Sequence, residues 1–217
     1  MISNRPELPK EFVAVHKRRR MMDAIAELTA ERGYEATKIA DVVRGAGVAR
    51  KTLYDNFEGK EDLFLAAIDS SLAEARERVE AACSEAEGVW QKRVEAGLAA
   101  FLDFVAERPA AARMCLIESI SATPSSAARY DAGLRVYVDL LNRATPADLG
   151  LPDTIEETLV GGVAWLVNQQ IRHGETSEAG ELLPELAEFV LSPYYGVAEI
   201  GSIPQSESDS TVADSNS

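Results

Sequence analysis

The chain has 217 residues, 46% of them hydrophobic, which is enough to bury a core without disulfides or metals. Its two cysteines, Cys83 and Cys115, have no CxxC or Cys/His spacing, so they read as free thiols of a reducing compartment and exclude a disulfide scaffold or zinc module. The net charge of −14 argues at first against nucleic acid, yet residues 1–60 hold 12 Lys and Arg against 9 Asp and Glu, while residues 61–217 hold 10 against 27. A weakly basic head on an acidic body can orient a protein on DNA, although a segment of net +3 is ordinary by itself.

Apolar residues recur at three- and four-residue spacing throughout, and strand-like alternation is missing, so the reading is all-α with about nine helices. The N-terminal MISNRPELPKEF has no apolar run to serve as a signal peptide, and no stretch approaches the roughly 18 apolar residues of a membrane span. We therefore expect a cytoplasmic protein with no membrane partner. The first helix runs from about Pro9 to Arg32 and stops at Gly33. It carries the basic run His16, Lys17, Arg18, Arg19 and Arg20, which is either a solvated face or a source of sequence-independent phosphate contacts. Thr37 can cap a second helix reaching about Gly45, Gly47 breaks the chain, and a third short helix covers Ala49 to Asn56. A fourth begins near Lys60 with Leu63, Phe64, Ala67, Ile68 and Leu72 along one side.

Further helices are expected at 88–107, at 109–121 behind Pro109, and at 124–144 behind Pro124. A turn-rich connector, Thr145 to Asp153, precedes helices at 153–172 and 178–191, split at His173-Gly174. After Pro193 the chain becomes polar and acidic, with almost nothing to bury. We expect three parts: a helix-turn-helix head at 1–58 with a short N-terminal extension, a helical body at 59–196, and a disordered Ser-rich tail at 197–217.

The informative stretch is TKIADVVRGAGVARKTLYDNF, Thr37 to Phe57. Two short helices meet at Gly45-Ala46-Gly47, and Ile39, Ala40, Val43, Val48, Leu53 and Phe57 are placed to share a small core. Arg50, Lys51, Thr52, Tyr54 and Asn56 are left on the rest of the third helix. Such a helix offers cations and hydroxyls to phosphates, and Arg, Lys, Asn and Thr to base edges. The bare pattern also suits an ordinary helical hairpin with a solvated face.

The wider run, MMDAIAELTAERGYEATKIADVVRGAGVARKTLYDNFEGKEDLFLAAI, resembles the N-terminal domain of the tetracycline-repressor (TetR/AcrR) family of transcriptional regulators. The resemblance rests on a first helix ending in ERGY, a Thr opening IADVVRGAGV, then KTLYDNF and GKEDLF, over about fifty residues without a gap. It implies that Thr37 and Arg44 touch the DNA backbone and that Arg50, Lys51 and Thr52 open the recognition helix. It also implies that Tyr54 and Asn56 lie on the DNA side, and that Lys60 meets a phosphate at the fourth helix's N-terminus, where the dipole favours an anion anyway. Leu53 and Phe57 would be core. Two positions depart from the family pattern. Ala49 stands where a Ser or Thr cap is usual, a loss of about 1 kcal/mol. Asn56 stands where His is common.

The resemblance weakens after about residue 75, except that TIEETLVGGVAWLVNQQIRHGE and ELLPELAEFVLSPYYG look like the two last helices that pair across a two-fold axis in many members. On that reading Leu159, Gly162, Val163, Leu166, Leu182, Leu186 and Phe189 form a homodimer interface; the other reading is packing within one subunit. The adjacent Gly161-Gly162 is costly mid-helix and makes sense where another helix approaches closely. A two-fold dimer suits a palindromic double-stranded operator, with recognition helices roughly 34 Å apart. The middle helices would enclose a small-molecule effector, with Trp90, Phe101, Phe104, Met114, Glu118, Tyr137, Trp165 and Asn168 as candidate lining, though an aromatic at helical spacing is more often a core residue than a pocket wall. No GxSxG elbow, phosphate loop, HExxH pair or Cys/His set is present, so neither an enzyme nor a cofactor or metal is expected. The implied mechanism is a repressor whose operator affinity falls when the effector shifts the body and, through the fourth helix, the heads.

Overall fold

A computed structural model describes residues 10–146 and 149–200. Among the described residues the fold is all-α, as expected, with nine helices and no strand. They are α1 (Lys10–Arg32), α2 (Ile39–Ala46), α3 (Arg50–Tyr54), α4 (Lys60–Glu85), α5 (Trp90–Glu107), α6 (Pro109–Ala122), α7 (Pro124–Ala144), α8 (Ile155–His173) and α9 (Leu183–Ile200). A 3₁₀ turn, Thr176–Leu182, joins the last two. No described helix is long and apolar enough to cross a membrane.

The stops lie where the chain can reverse cheaply. Gly47 (φ 59°) ends α2 with its N–H on the Arg44 carbonyl, while the Val48 N–H reaches back to Val43. Gly174 (φ 81°) repeats the arrangement after α8, with the Glu175 N–H bonded to the Gln170 carbonyl. Both are paired closures that satisfy the last carbonyls of a helix and need a left-handed residue. α7 starts on a reciprocal cap between Thr123 and Ser126 with Pro124 in its first turn, and its span matches the sequence expectation.

Two elements differ from the sequence reading. α2 begins at Ile39 behind Lys38, because the Thr37 hydroxyl is spent donating to the Gly33 carbonyl at 2.9 Å instead of capping. α9 does not end before Pro193 but continues to Ile200. The proline removes one N–H from the ladder, and Ser192 Oγ donates instead to the Phe189 carbonyl at 3.5 Å, the acceptor four residues before Pro193. Residues 201–217, most of the expected tail, lie outside the described residues.

Side chains are buried in two clusters. One, in the head, holds Met21, Ile25, Val42, Leu53, Phe57, Leu63, Phe64 and Ile68. The other, in the body, holds Leu102, Val105, Ala112, Leu159, Val167, Ile171 and Leu186. Two helices contribute to both. α4 gives Leu63 to Ile68 to the head and Ala75 to the body, and α6 gives Met114 and Cys115 to the head and Leu116 and Ile117 to the body. α6 makes that division across a π-helical turn, Met114–Glu118, where the hydrogen bonds span one residue more than in an α-helix. Arg108, at the start of α6, ties the same junction with ion pairs to Asp23 of α1 (3.2 Å) and Glu74 of α4 (3.6 Å).

Candidate DNA-binding head and body cavity

α3 is anchored by one side chain. Leu53 is fully buried, and with Phe57 it fixes the helix on the head core while its other faces stay outward. Its first turn lacks a side-chain cap, since Ala49 has no oxygen to offer. Arg50 and Lys51 are exposed there, and Tyr54 is 48% exposed one turn on, with Arg50 Nη2 at 3.5 Å from its hydroxyl. Arg44 of α2 is also exposed, resting on Asp41 at 3.2 Å. These four present cations and a phenol outward.

The other expected contacts are placed differently. Thr37 is buried, with its hydroxyl on Gly33 and its N–H on the Tyr34 carbonyl, so it offers no group to DNA. Thr52 is half-buried. Asn56 Nδ2 donates to the Thr52 carbonyl at 2.8 Å, so this amide closes the end of α3. Lys60 Nζ donates to the Tyr34 carbonyl at 3.0 Å and lies 3.9 Å from the centroid of the Tyr34 ring. It holds the α1–α2 loop against α4, while a phosphate at that helix N-terminus would have to share it.

The basic run of α1 has a role that spacing did not show. Arg18 Nη1 donates to the Asn56 carbonyl at 3.0 Å, and its guanidinium lies 4.2 Å from the Phe57 ring centroid. Arg20 packs over Gly47, where an added Cβ would lie 2.5 Å from Nη2. Two of the arginines therefore brace the helix-turn-helix from behind. The only sequence signal was their spacing of two on one helix, which a solvated face shares.

The body holds a cavity of about 360 Å³ between α4, α5, α7 and α8, with Cys115 and Leu116 of α6 and Val190 of α9 completing its wall. Of the candidate lining residues, Phe101, Phe104 and Tyr137 reach it. Trp90, Met114, Glu118, Trp165 and Asn168 do not: Met114 is in the head core, Trp90 packs edge-on against Tyr194 at 5.4 Å, and Trp165 is 61% exposed. Glu118 lies at the head, with Oε2 3.6 Å from where a Cβ of Gly33 would sit. Asn168 Oδ1 is buried with no hydrogen-bond partner among the described residues. The walls missed from sequence are mostly small or aliphatic, such as Leu72, Val79, Gly97, Leu98 and Leu134. Burial raises the Cys115 thiol to about 12 and also raises that of Cys83, so both thiols of the wall stay protonated at neutral pH.

The expected interface residues split between two environments. Leu159, Val163 and Leu186 are buried in the body's own core, and Leu166 and Leu182 are half-buried against it. Gly162 is closely approached, but by Phe189 of the same chain, whose Cζ would lie 2.7 Å from an added Cβ. Among the described residues, the large apolar side chains that α8 and α9 leave outside are Trp165, Phe189 (38% exposed) and Tyr195.

Fold and site together define a class: an all-α protein with a helix-turn-helix head on a hollow helical body. Residues 21–67 match the family model described as bacterial regulatory proteins, tetR family. Over 67 residues (29% of this chain, 34% of the relative) the chain is 42% identical to the uncharacterized HTH-type transcriptional regulator YezE of Bacillus subtilis. The chain spans between 31% and 61% of the length of the curated relatives it matches. In fold it is similar to the fatty acid degradation regulator FadR of Bacillus halodurans, with a TM-score of 0.73 at 17% identity, covering 81% of this chain and 94% of that one. It is likewise similar to FadR of Bacillus subtilis in complex with stearoyl-CoA, with a TM-score of 0.69 at 18% identity, covering 80% and 97%. The match of residues 21–67 to that family model, on a fold shared with TetR-family regulators of known structure, supports the TetR family for this chain.

Proposed function

We propose that this protein is a homodimeric transcriptional repressor that holds a palindromic operator through its heads and is released by a small, largely apolar effector bound in its body. The observation that carries the reading is α3 itself, a helix locked by buried Leu53 with Arg50, Lys51 and Tyr54 facing out. In this division residues 1–58 read DNA and 59–196 bind effector and partner subunit. Arg44, Arg50, Lys51 and Tyr54 are the contact residues proposed; Thr37, Asn56 and Lys60 shape the surface that carries them. The exposed Trp165 and Phe189 on α8 and α9 supply an apolar face for a two-fold partner. The stearoyl-CoA complex of the Bacillus subtilis regulator, a protein of the same fold, supports the body as the effector site.

Coupling between the two sites is short in this chain. Leu72 and Cys115 line the cavity and also pack on the head core. An occupant that moves either side chain changes how α4 and α6 seat the head, and a body geometry with the wrong head spacing binds the operator less well. The same fold acting without a ligand, or as an activator, is the alternative reading.

The test is a selection from random-sequence DNA with the purified full chain, followed by titration of the enriched site at several salt concentrations. An Arg50→Ala/Lys51→Ala variant should bind that site about 100-fold more weakly and with a shallower salt dependence. If no sequence is enriched, or the variant binds like the parent, the proposal is wrong.

A further inference from the structure

The cavity is uneven along its length. α4 runs away from the head, α5 returns, and α7 runs outward again, so residue number orders the walls. The end near the head is closed by Leu72, Cys115 and Leu116, and the last two are nearly fully buried. The far end is formed where α4 and α7 finish and α5 begins, and every charged residue of the wall is there: Glu80, Arg93 and Arg143. From Leu72 to Ser84 the slot follows α4 for about 18 Å at 1.5 Å per residue.

Those three charges are not equivalent. Glu80 is committed to Arg76 of its own helix at 2.9 Å. Arg93 and Arg143 are exposed, and among the described residues neither has an ion-pair partner; Arg93 reaches only the Gly88 carbonyl, at 3.4 Å. Elsewhere in the body Arg78, Arg108 and Arg129 are paired with carboxylates, and the other arginines without an ion pair among the described residues, Arg113, Arg135 and Arg172, do not line the cavity. A body that is strongly acidic overall thus places two uncommitted guanidiniums on the rim of its apolar slot. Guanidinium pairs a carboxylate or phosphate in a forked geometry.

Building on the effector reading above, we propose that the effector is an amphiphile with an unbranched apolar tail and an anionic head. The tail enters first and ends against Cys115 and Leu116, and the head, a carboxylate or a phosphate-bearing carrier, stays at the rim on Arg93 and Arg143. The rim then selects for charge and the slot for apolar length.

Calorimetric titration of the full chain with four probes sharing a C14 tail, each below its micelle concentration, tests this. The probes are tetradecanoate, tetradecyl phosphate, the tetradecanoyl thioester of coenzyme A, and neutral 1-tetradecanol. At least one anion should bind about tenfold more tightly than the alcohol, and the ranking among the anions identifies the head. Arg93→Glu/Arg143→Glu, two exposed positions, should erase that preference and leave alcohol binding and the thermal transition unchanged. Leu134→Trp, which fills the slot, should abolish binding of all four. Equal affinity for alcohol and anions, or an unaltered preference in the charge-reversed variant, overturns the anionic head. If the alcohol alone binds and releases DNA, the effector reading stands and this inference falls; if none of the four binds, both fall.

Discussion

The head and the body are built from the same apolar residue types to opposite ends. In the head, Met21, Ile25, Leu53, Leu63, Phe64 and Ile68 are all completely buried, and none of them lines the cavity. The body buries more side chains but spreads them around a void of about 360 Å³. A surface that must present a few side chains in one fixed arrangement gains from tight packing, whereas a receptor must leave space unfilled and accept the lost contacts. The difference teaches that burial alone does not distinguish a strut from a wall.

Truncation should separate the two regions. Leu53→Ala removes the single anchor of α3 and should destabilise the head by about 2–5 kcal/mol, with DNA binding lost before the helical content of the body in a thermal melt followed by both signals. Leu102→Ala, in the filled part of the body, should cost a similar about 2–5 kcal/mol by denaturant titration. Leu134→Ala, on the cavity wall, should cost less than about 1.5 kcal/mol, since its neighbours already border a void. Equal losses at Leu102 and Leu134 would mean that the body is packed like the head.

The smaller effects sharpen the comparison. Alkylation at pH 8 should label Cys83, which is partly exposed, well before the buried Cys115, and an occupant of the cavity should slow the Cys83 reaction further. Mass spectrometry of peptides during the reaction reads both. Ala49→Ser should supply the missing cap of α3 and stabilise the head by about 0.5–1 kcal/mol, seen as a rise in the denaturation midpoint. No gain would mean that the first turn of α3 is already satisfied by solvent.

Much of the head was legible because it depends on local rules. Gly33 and Gly47 mark reversals that other residues resist, and Leu53 and Phe57 fall on the inner side of any helix drawn through them. The cap expected of Thr37 did not form because a group with several possible partners takes the one that tertiary structure supplies: its hydroxyl turned back to Gly33 instead of forward to α2. The cavity was hardly legible. Trp90 and Trp165 attract notice by size, yet a wall is defined by what is not opposite it, and that depends on the courses of four helices. Pro193 misled because its usual meaning is a stop, and the compensating hydroxyl of Ser192 carries no distinct pattern.

The π-helical turn in α6 fixes more than its own hydrogen bonds. Such a turn is an α-helix that has taken in one extra residue, and each residue of an α-helix advances the direction of its side chain by about 100°. Take that residue out, and everything from Ser119 to Ala122 would swing by that angle relative to Pro109–Arg113. Ser119, now buried, would leave its place beside Ser126, whose hydroxyl bonds the Ser119 carbonyl at 2.6 Å at the start of α7. The single surplus residue thus acts as a keyway: it sets the angle at which Pro109–Arg113, packed into the body, is clocked against Ser119–Ala122, which meets the next helix, and a one-residue deletion there should be felt across the whole molecule.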